Sequence, residues 1–280
     1  MNDKQKRMRL REILVDPNGA IAPGVTDGLF ARLVQDCGYV AAHLSGNAIH
    51  KNFCLPDRNL LTTTQIAQRI GQISEATDIP LIVDGGSICV DHVALTRAVK
   101  LYERAGAAAI RFEDALVNEY GAPAEELSIA AQSLVVDRIK ALTDARRDES
   151  LVLIARCDSR PKESLAQVQE RLAAYAAAGA DAVGVQLTDV DDFRQIGANV
   201  TAPLVSLWPK AQLSAFEFFR LGFRIALIPS SLPLAAATAA REMLLDLKQS
   251  GMDRDYFAKQ KEFAKTESWY KNLGSASKRS

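Results

Sequence analysis

Neither sign of charge is in excess along this chain: 34 Lys and Arg balance 34 Asp and Glu over 280 residues. A formal net charge of zero removes the long-range field that recruits nucleic acid or an anionic membrane. Cysteine is scarce, with Cys37, Cys54, Cys89 and Cys157 widely spaced and no C-x-x-C pair or Cys/His cluster. That spacing carries no zinc signature, and a chain this large needs no disulfide staples, so free thiols in a reducing cytoplasm are expected. No apolar run reaches the roughly 20 residues that span a bilayer. The longest uncharged run, Ile225 to Ala240, is broken by Pro229 and Pro233. The apolar stretch Ile13-Leu14-Val15 stops at Asp16-Pro17, too soon for the core of a signal peptide. The glycine patterns of nucleotide-binding loops, G-x-G-x-x-G and G-x-x-x-x-G-K-[ST], are missing. The expectation is a cytoplasmic protein with no nucleic-acid and no membrane partner. The basic run Lys4, Lys6, Arg7, Arg9, Arg11 reads as a solvated helix face.

What is present is a recurring corner. An Ala- or Leu-rich helical stretch, a glycine and a short run of small and β-branched residues return four times, at Gly38, Gly106, Gly179 and Gly222. Glycine just past a helix tolerates the left-handed conformation that ends it. Each instance therefore marks a helix-to-strand junction, before Tyr39–Ser45, Ala107–Glu113, Ala180–Gln186 and Phe223–Ile228. Further strands are expected at Ile21–Pro23, Leu81–Asp84, Leu151–Arg156 and Pro203–Leu207, which brings the count to eight. Residues 63–75, 93–104, 130–145, 164–177 and 234–249 show apolar positions near a 3.6 spacing and read as helices. Eight alternating β/α units predict an α/β protein with a (β/α)8 TIM-type barrel, with an open doubly wound sheet as the alternative. Residues 3–14 and 253–273 read as extra helices, and no linker divides residues 1–280, which are expected to form one domain.

In a parallel barrel the chemistry sits at the C-terminal ends of the strands. Those ends carry Ser45-Gly46-Asn47, Asp84, Glu113-Asp114, Arg156 with Asp158, Gln186 and Ser230. Strands of Ile, Leu and Val that end in a carboxylate or a guanidinium are unusual, because an unpaired buried charge is costly. Salt bridges closing the barrel mouth are one explanation. The other is a site in which carboxylates hold a hard cation such as Mg2+ while Arg156 grips a carboxylate or phosphate with its planar fork.

The segments Pro23-Gly24-Val-Thr-Asp-Gly-Leu-Phe-Ala-Arg32, Leu44-Ser-Gly46, Leu55-Pro-Asp57, Ile79-Pro-Leu-Ile-Val-Asp84, Phe112-Glu-Asp114 and Ile154-Ala-Arg156 fall in the order and spacing of one family. The chain resembles the isocitrate lyase/phosphoenolpyruvate mutase superfamily, nearest its short members such as methylisocitrate lyase and the oxaloacetate decarboxylases. The resemblance implies Mg2+ held mainly through water and an enolate-like intermediate formed from a small 2-oxo or 2-hydroxy carboxylate. It also implies a homotetramer whose late helices, residues 230–273, are exchanged between subunits. By the same resemblance Ser45, Gly46 and Asn47 hold the substrate carboxylate and Arg156 binds substrate. Asp57, Asp84 and Glu113 match metal-shell carboxylates. Catalysis is assigned to Asp57, Arg156 and His43, and metal binding to Asp84 and Glu113. A ring nitrogen of His43 could shuttle protons near neutral pH, and a half-buried histidine hydrogen-bonded to a neighbouring loop is an equally good reading.

The departures from the family pattern are specific. Gly86 stands where relatives carry a second aspartate, and the segment Ala115–Pro123 lacks the Lys-, Cys- and His-bearing gating loop of the lyases. Mg2+ is therefore expected to bind weakly or not at all. Three functions stay open: a lyase or decarboxylase, a phosphonate mutase or hydrolase, and an inactive barrel that binds an anion or serves in assembly.

Overall fold

The computed structural model describes residues 1–56, 60–87, 91–116, 128–209 and 212–274. They fall into two compact units, Met1–Pro233 and Leu234–Ser280. The chain begins with α1 (Asp3–Val15), β1 (Ala20–Pro23), α2 (Gly28–Asp36), β2 (Ala42–Leu44), α3 (Gly46–Asn52) and α4 (Thr63–Ala76). It continues through β3 (Leu81–Ser87), α5 (His92–Arg104), β4 (Ala109–Glu113), α6 (Gln132–Ala145), β5 (Val152–Cys157) and α7 (Leu165–Ala177). Next come β6 (Ala182–Val185), α8 (Val190–Asn199), β7 (Leu204–Leu207), α9 (Ala215–Arg220), β8 (Phe223–Ile228) and α10 (Ser231–Ser250). The last helices are α11 (Arg254–Ala258) and α12 (Phe263–Lys271).

All eight strands lie on the segments expected from the sequence and pair in parallel in the order β1-β8-β7-β6-β5-β4-β3-β2. A parallel bridge from Gly24 to His43, with the Val25 amide donating to the His43 carbonyl at 2.9 Å, draws β1 toward β2. The result is a near-closed TIM-like barrel. The four corner glycines all take positive φ, from +87° at Gly38 to +111° at Gly179, as a helix-ending residue requires. Helix starts are fixed by reciprocal caps, Thr62 with Gln65, Ser164 with Gln167 and Ser214 with Glu217.

Period-two alternation divides the core. Leu81, Val83, Ile110, Phe112, Leu151, Leu153, Ala155 and Val183 belong to the larger apolar cluster, which also contains helix residues. Their neighbours Ile82, Ala109, Val152, Ile154, Ala182, Val205, Ile225 and Leu227 form a second cluster inside the barrel. Successive strand residues point to opposite faces, so Asp84, Arg111, Glu113 and Arg156 share the inner face with that second cluster. On β2 the same parity places His43 inward, because Ala42 and Leu44 belong to the outer cluster and Ala41 to the inner one.

The basic N-terminal run does more than face solvent. Leu10, Ile13 and Leu14 of α1 join the inner cluster. Lys6 donates to the Ser74 carbonyl at 2.6 Å, and Arg7 donates to the carbonyls of Glu103 and Ala107 at 2.5 and 3.0 Å. Arg11 reaches the Ser150 carbonyl and Asp181. Lys6 and Arg7 thus satisfy carbonyls where α4 and α5 end, which is favourable for charge and for hydrogen bonding, while Arg11 ties down the turn before β5.

In the second unit Phe257 stacks on Phe263 with ring centroids 4.3 Å apart, and Tyr256 meets Phe257 edge-on. The late segment forms two helices, α11 and α12. Leu234, Leu244 and Tyr270 are 67%, 58% and 62% exposed, and no residue of α10, α11 or α12 is buried. Among the described residues no helix is long and apolar enough to cross a membrane.

Candidate active site

Two ion pairs between neighbouring strands define the inner face at the C-terminal ends of β3, β4 and β5. Asp84 on β3 is in register with Arg111 on β4, and Glu113 on β4 is in register with Arg156 on β5. Arg111 approaches Asp84 Oδ1 through Nε at 2.8 Å and Nη2 at 2.7 Å. His43 Nε2 lies 3.1 Å from the same oxygen, and the Gly46 amide donates to Oδ2 at 3.0 Å. Burial alone would raise the Asp84 carboxyl, yet Arg111, His43 and the Gly46 amide hold it well below the usual carboxylate range.

Arg156 forms the second cluster. Its Nε donates to Asp158 Oδ1 at 2.6 Å, and its Nη2 contacts both Asp158 Oδ2 and Glu113 Oε2. Nη1 takes part in none of these pairs. Burial would ease the proton off this guanidinium, but Asp158 and Glu113 hold it more tightly than usual. Glu113 also holds its proton more tightly than usual. Burial raises its carboxyl, Asp158 adds to that, and Arg156 only partly offsets them.

A scaffold behind the site fixes Asp158. Asp114 Oδ1 accepts the Asp158 amide at 2.8 Å, and Asp114 Oδ2 accepts the Tyr175 hydroxyl at 2.7 Å. Arg171 donates to Tyr175 and forks onto Glu163. Asp114 is 1% exposed, and burial raises its carboxyl against these bonds.

Of the residues assigned from the sequence, the structure brings His43, Gly46 and Asp84 together, and Glu113 with Arg156. Ser45 is buried as the residue preceding α3 and makes no side-chain cap bond. Asn47 lies in the first turn of α3. Asp57 and most of the segment 115–123 lie outside the described residues, as does Cys89. Cys37, Cys54 and Cys157 are free thiols, and burial pushes the Cys157 thiol up. The residue the sequence reading missed is Arg111, 5% exposed in the middle of Ala-Ile-Arg-Phe-Glu. Its signal was parity: two positions before Glu113, it had to share that residue's face.

The bulge in β3 explains the departure at Gly86. The register against β4 shifts between Asp84 and Gly86, and Gly86 takes φ +75°. A Cβ on Gly85 would stand 2.4 Å from the Phe112 ring. Two glycines let the strand kink here, which a strand with side chains at both positions resists.

These donors do not fit a directly bound Mg2+. Asp84 Oδ1 meets three donor atoms where a carboxylate oxygen offers about two lone pairs, and Glu113 is paired with Arg156. Among the described residues no group of three or more His, Cys, Asp or Glu side chains is arranged to hold a metal ion.

Comparison with known proteins places this architecture. The chain belongs to the phosphoenolpyruvate phosphomutase family, whose model matches residues 10–248. It is 31% identical to a 2-methylisocitrate lyase of Shewanella oneidensis over 254 residues, 89% of this chain and 87% of the relative. It is 32% identical to an oxaloacetate decarboxylase of Rhodopseudomonas palustris over 243 residues, 85% and 83% of the two chains. The structure of a phosphonopyruvate hydrolase complexed with oxalate and Mg2+ superposes with a TM-score of 0.82 at 25% identity, covering 99% of this chain and 100% of that one. The superfamily contains lyases, hydrolases and mutases of small carboxylic acids, and the chain's relatives include carbon–carbon lyases and decarboxylases.

Proposed function

We propose that the chain is a lyase or decarboxylase acting on a small 2-oxo or 2-hydroxy carboxylic acid. The observation that carries this reading is a pair of largely buried arginines on the inner face. Arg111 and Arg156 each keep one guanidinium nitrogen outside the ion pairs described above. Each leaves a single charged Nη1 donor, and the oxygen of a carboxylate or phosphate is the acceptor such a donor recognises. The relatives' names, 2-methylisocitrate lyase and oxaloacetate decarboxylase, point to the same substrate class.

In this reading Arg156 and the Ser45–Asn47 turn orient the carboxylate. The bond to the departing carbon breaks, CO2 or a carbonyl product leaves, and its electron pair enters an enolate. Fixed guanidinium charge in a site of low dielectric stabilises that enolate without reorganising. In the lyase reaction His43 takes the hydroxyl proton as the carbon–carbon bond breaks and returns it to the enolate carbon, whereas after decarboxylation water supplies that proton. The ionised Asp84 only accepts, so the ring nitrogen facing it, Nε2, carries hydrogen, and in the neutral ring Nδ1 is the base. Among the described residues this buried Nδ1 has no partner. Asp84 is thereby a positioning residue. Loss of the gating-loop lysine and of the second aspartate argues against phosphonate chemistry.

The closed pairing of Arg156 with Asp158 and Glu113 favours one competing reading, an anion-binding barrel without turnover. Calorimetric titration with oxalate, run beside an assay of CO2 release from oxaloacetate, separates the two. Binding with turnover supports the enzyme, binding alone supports the competitor, and no binding defeats both. The exposed apolar residues of the late helices further support a homo-oligomer, a tetramer by resemblance. Light scattering giving a mass near 30.5 kDa would refute that.

A further inference from the structure

We infer that Arg111 takes the place of a divalent cation: its guanidinium occupies the Asp84 carboxylate permanently, so the site receives its carboxylate ligand without metal. The ligand half of this inference rests on the function proposed above; the metal half does not.

Three observations carry it. The first is saturation. Asp84 Oδ1 is contacted by Arg111 Nε at 2.8 Å, Arg111 Nη2 at 2.7 Å and His43 Nε2 at 3.1 Å, while Oδ2 accepts the Gly46 amide. A hard cation needs carboxylate oxygens with open lone pairs and uncompensated charge, and this one has little of either. The second is permanence. Arg111 is 5% exposed and anchored in register opposite Asp84, and a guanidinium cannot step aside by losing its proton. A divalent ion at Asp84 would stand against that fixed positive charge in a medium that screens it poorly. The third is an unused donor. Arg111 Nη1 is buried and has no partner among the described residues. A buried donor without a partner is costly unless something fills the place, and a ligand oxygen would. The glycine at position 86 agrees with this: where a resident cation already neutralises Asp84, a second carboxylate on the β3 bulge has no metal to hold.

Mn2+ serves as the probe for the metal half, read by water-proton relaxation on the parent, Arg111→Gln and Asp84→Asn. The parent should show no site tighter than about 1 mM, and Arg111→Gln should bind at least about tenfold more tightly because the competing cation is gone. Tight Mn2+ binding to the parent that disappears in Asp84→Asn would overturn the inference. The parent measurement decides the question even where the Arg111 variant does not fold. Oxalate is the probe for the ligand half: its shift of the melting temperature should be the same in EDTA and in MgCl2. A shift seen only with Mg2+ also overturns the inference. No shift in either buffer overturns the carboxylate function itself, and the Mn2+ titration then still judges the role of Arg111.

Discussion

Asp84 and Arg111 face each other in register across β3 and β4, two nitrogens of the guanidinium converging on one carboxylate oxygen at 2.7 and 2.8 Å. Both side chains lie on the inner face of the barrel, above the apolar layers contributed by Ile82, Ala109 and Ile154. A charge there is tolerable only while its partner remains. Asp84→Ala should therefore lower stability by about 3–5 kcal/mol, because it strands a buried guanidinium. Arg111→Met should cost a comparable amount, and the double variant much less than the sum. A denaturant double-mutant cycle checks this, and additive losses would mean that the two charges do not act as a pair.

Glu113 gives a pH signature of opposite kind. Its carboxyl is raised in the folded protein, chiefly by burial. The folded state thus favours the protonated form, and that advantage is complete below the unfolded value of about 4.3. It is lost as pH rises through the folded value. Glu113→Gln mimics the protonated form at every pH. Its melting temperature should match the parent's near pH 4 and gain on it as pH rises to 8. The side chain is 32% exposed, so screening keeps the gain modest. A parent that becomes progressively more stable than the variant toward pH 8 would contradict this sign.

Asp84 titrates the other way. Its folded value is depressed, so the stability it contributes is present above the unfolded value of about 3.9 and is lost as pH falls further. Acid unfolding of Asp84→Asn, followed by circular dichroism below pH 4, should be shallower than that of the parent. Equal slopes would remove Asp84 from the acid-sensitive groups.

The β3 bulge is testable through Gly85. A methyl group there meets Phe112 Cε1 at 2.4 Å, Phe112 Cδ1 at 2.7 Å and Ile110 Cγ2 at 2.9 Å, all belonging to buried side chains. Gly85→Ala should cost about 1–3 kcal/mol, the usual penalty of overpacking. Gly38→Ala makes a useful comparison, because nothing lies within 4 Å of a Cβ there and only its φ of +87° opposes the change. A smaller loss at Gly85 than at Gly38 would show that the ring moves aside freely.

The barrel was legible because parallel strands buried on both faces must be apolar and because helix-to-strand corners demand glycine. Gly106 and Gly179 announced β4 and β6 without any tertiary information. The charged ends Asp84, Glu113 and Arg156 were legible for a related reason, since each interrupts an apolar run. Their partners were not. Whether Arg156 meets Glu113 or a ligand depends on register across strands, which a single chain does not display. Arg111 was overlooked because an arginine inside Ala-Ile-Arg-Phe-Glu reads as strand interior until the inward parity of Glu113 is applied to it. The basic stretch of α1 was misread for a similar reason: Lys6 and Arg7 resemble a solvated face until carbonyls more than sixty residues away are brought beneath them.

We propose that the mouth of this barrel processes a small oxo acid held by Arg156. The decisive measurement is oxaloacetate decarboxylation, followed as CO2 release by the parent and by Arg156→Lys at equal folded concentration. Lysine keeps the charge but loses the fork onto Asp158 and the remaining Nη1 donor. The parent should turn oxaloacetate over and the variant should be slower by roughly tenfold or more, as the loss of one charged hydrogen bond of about 1.5–3 kcal/mol implies. Equal rates in the two proteins, or no turnover of oxaloacetate or any related 2-oxo or 2-hydroxy acid by the parent, would contradict it.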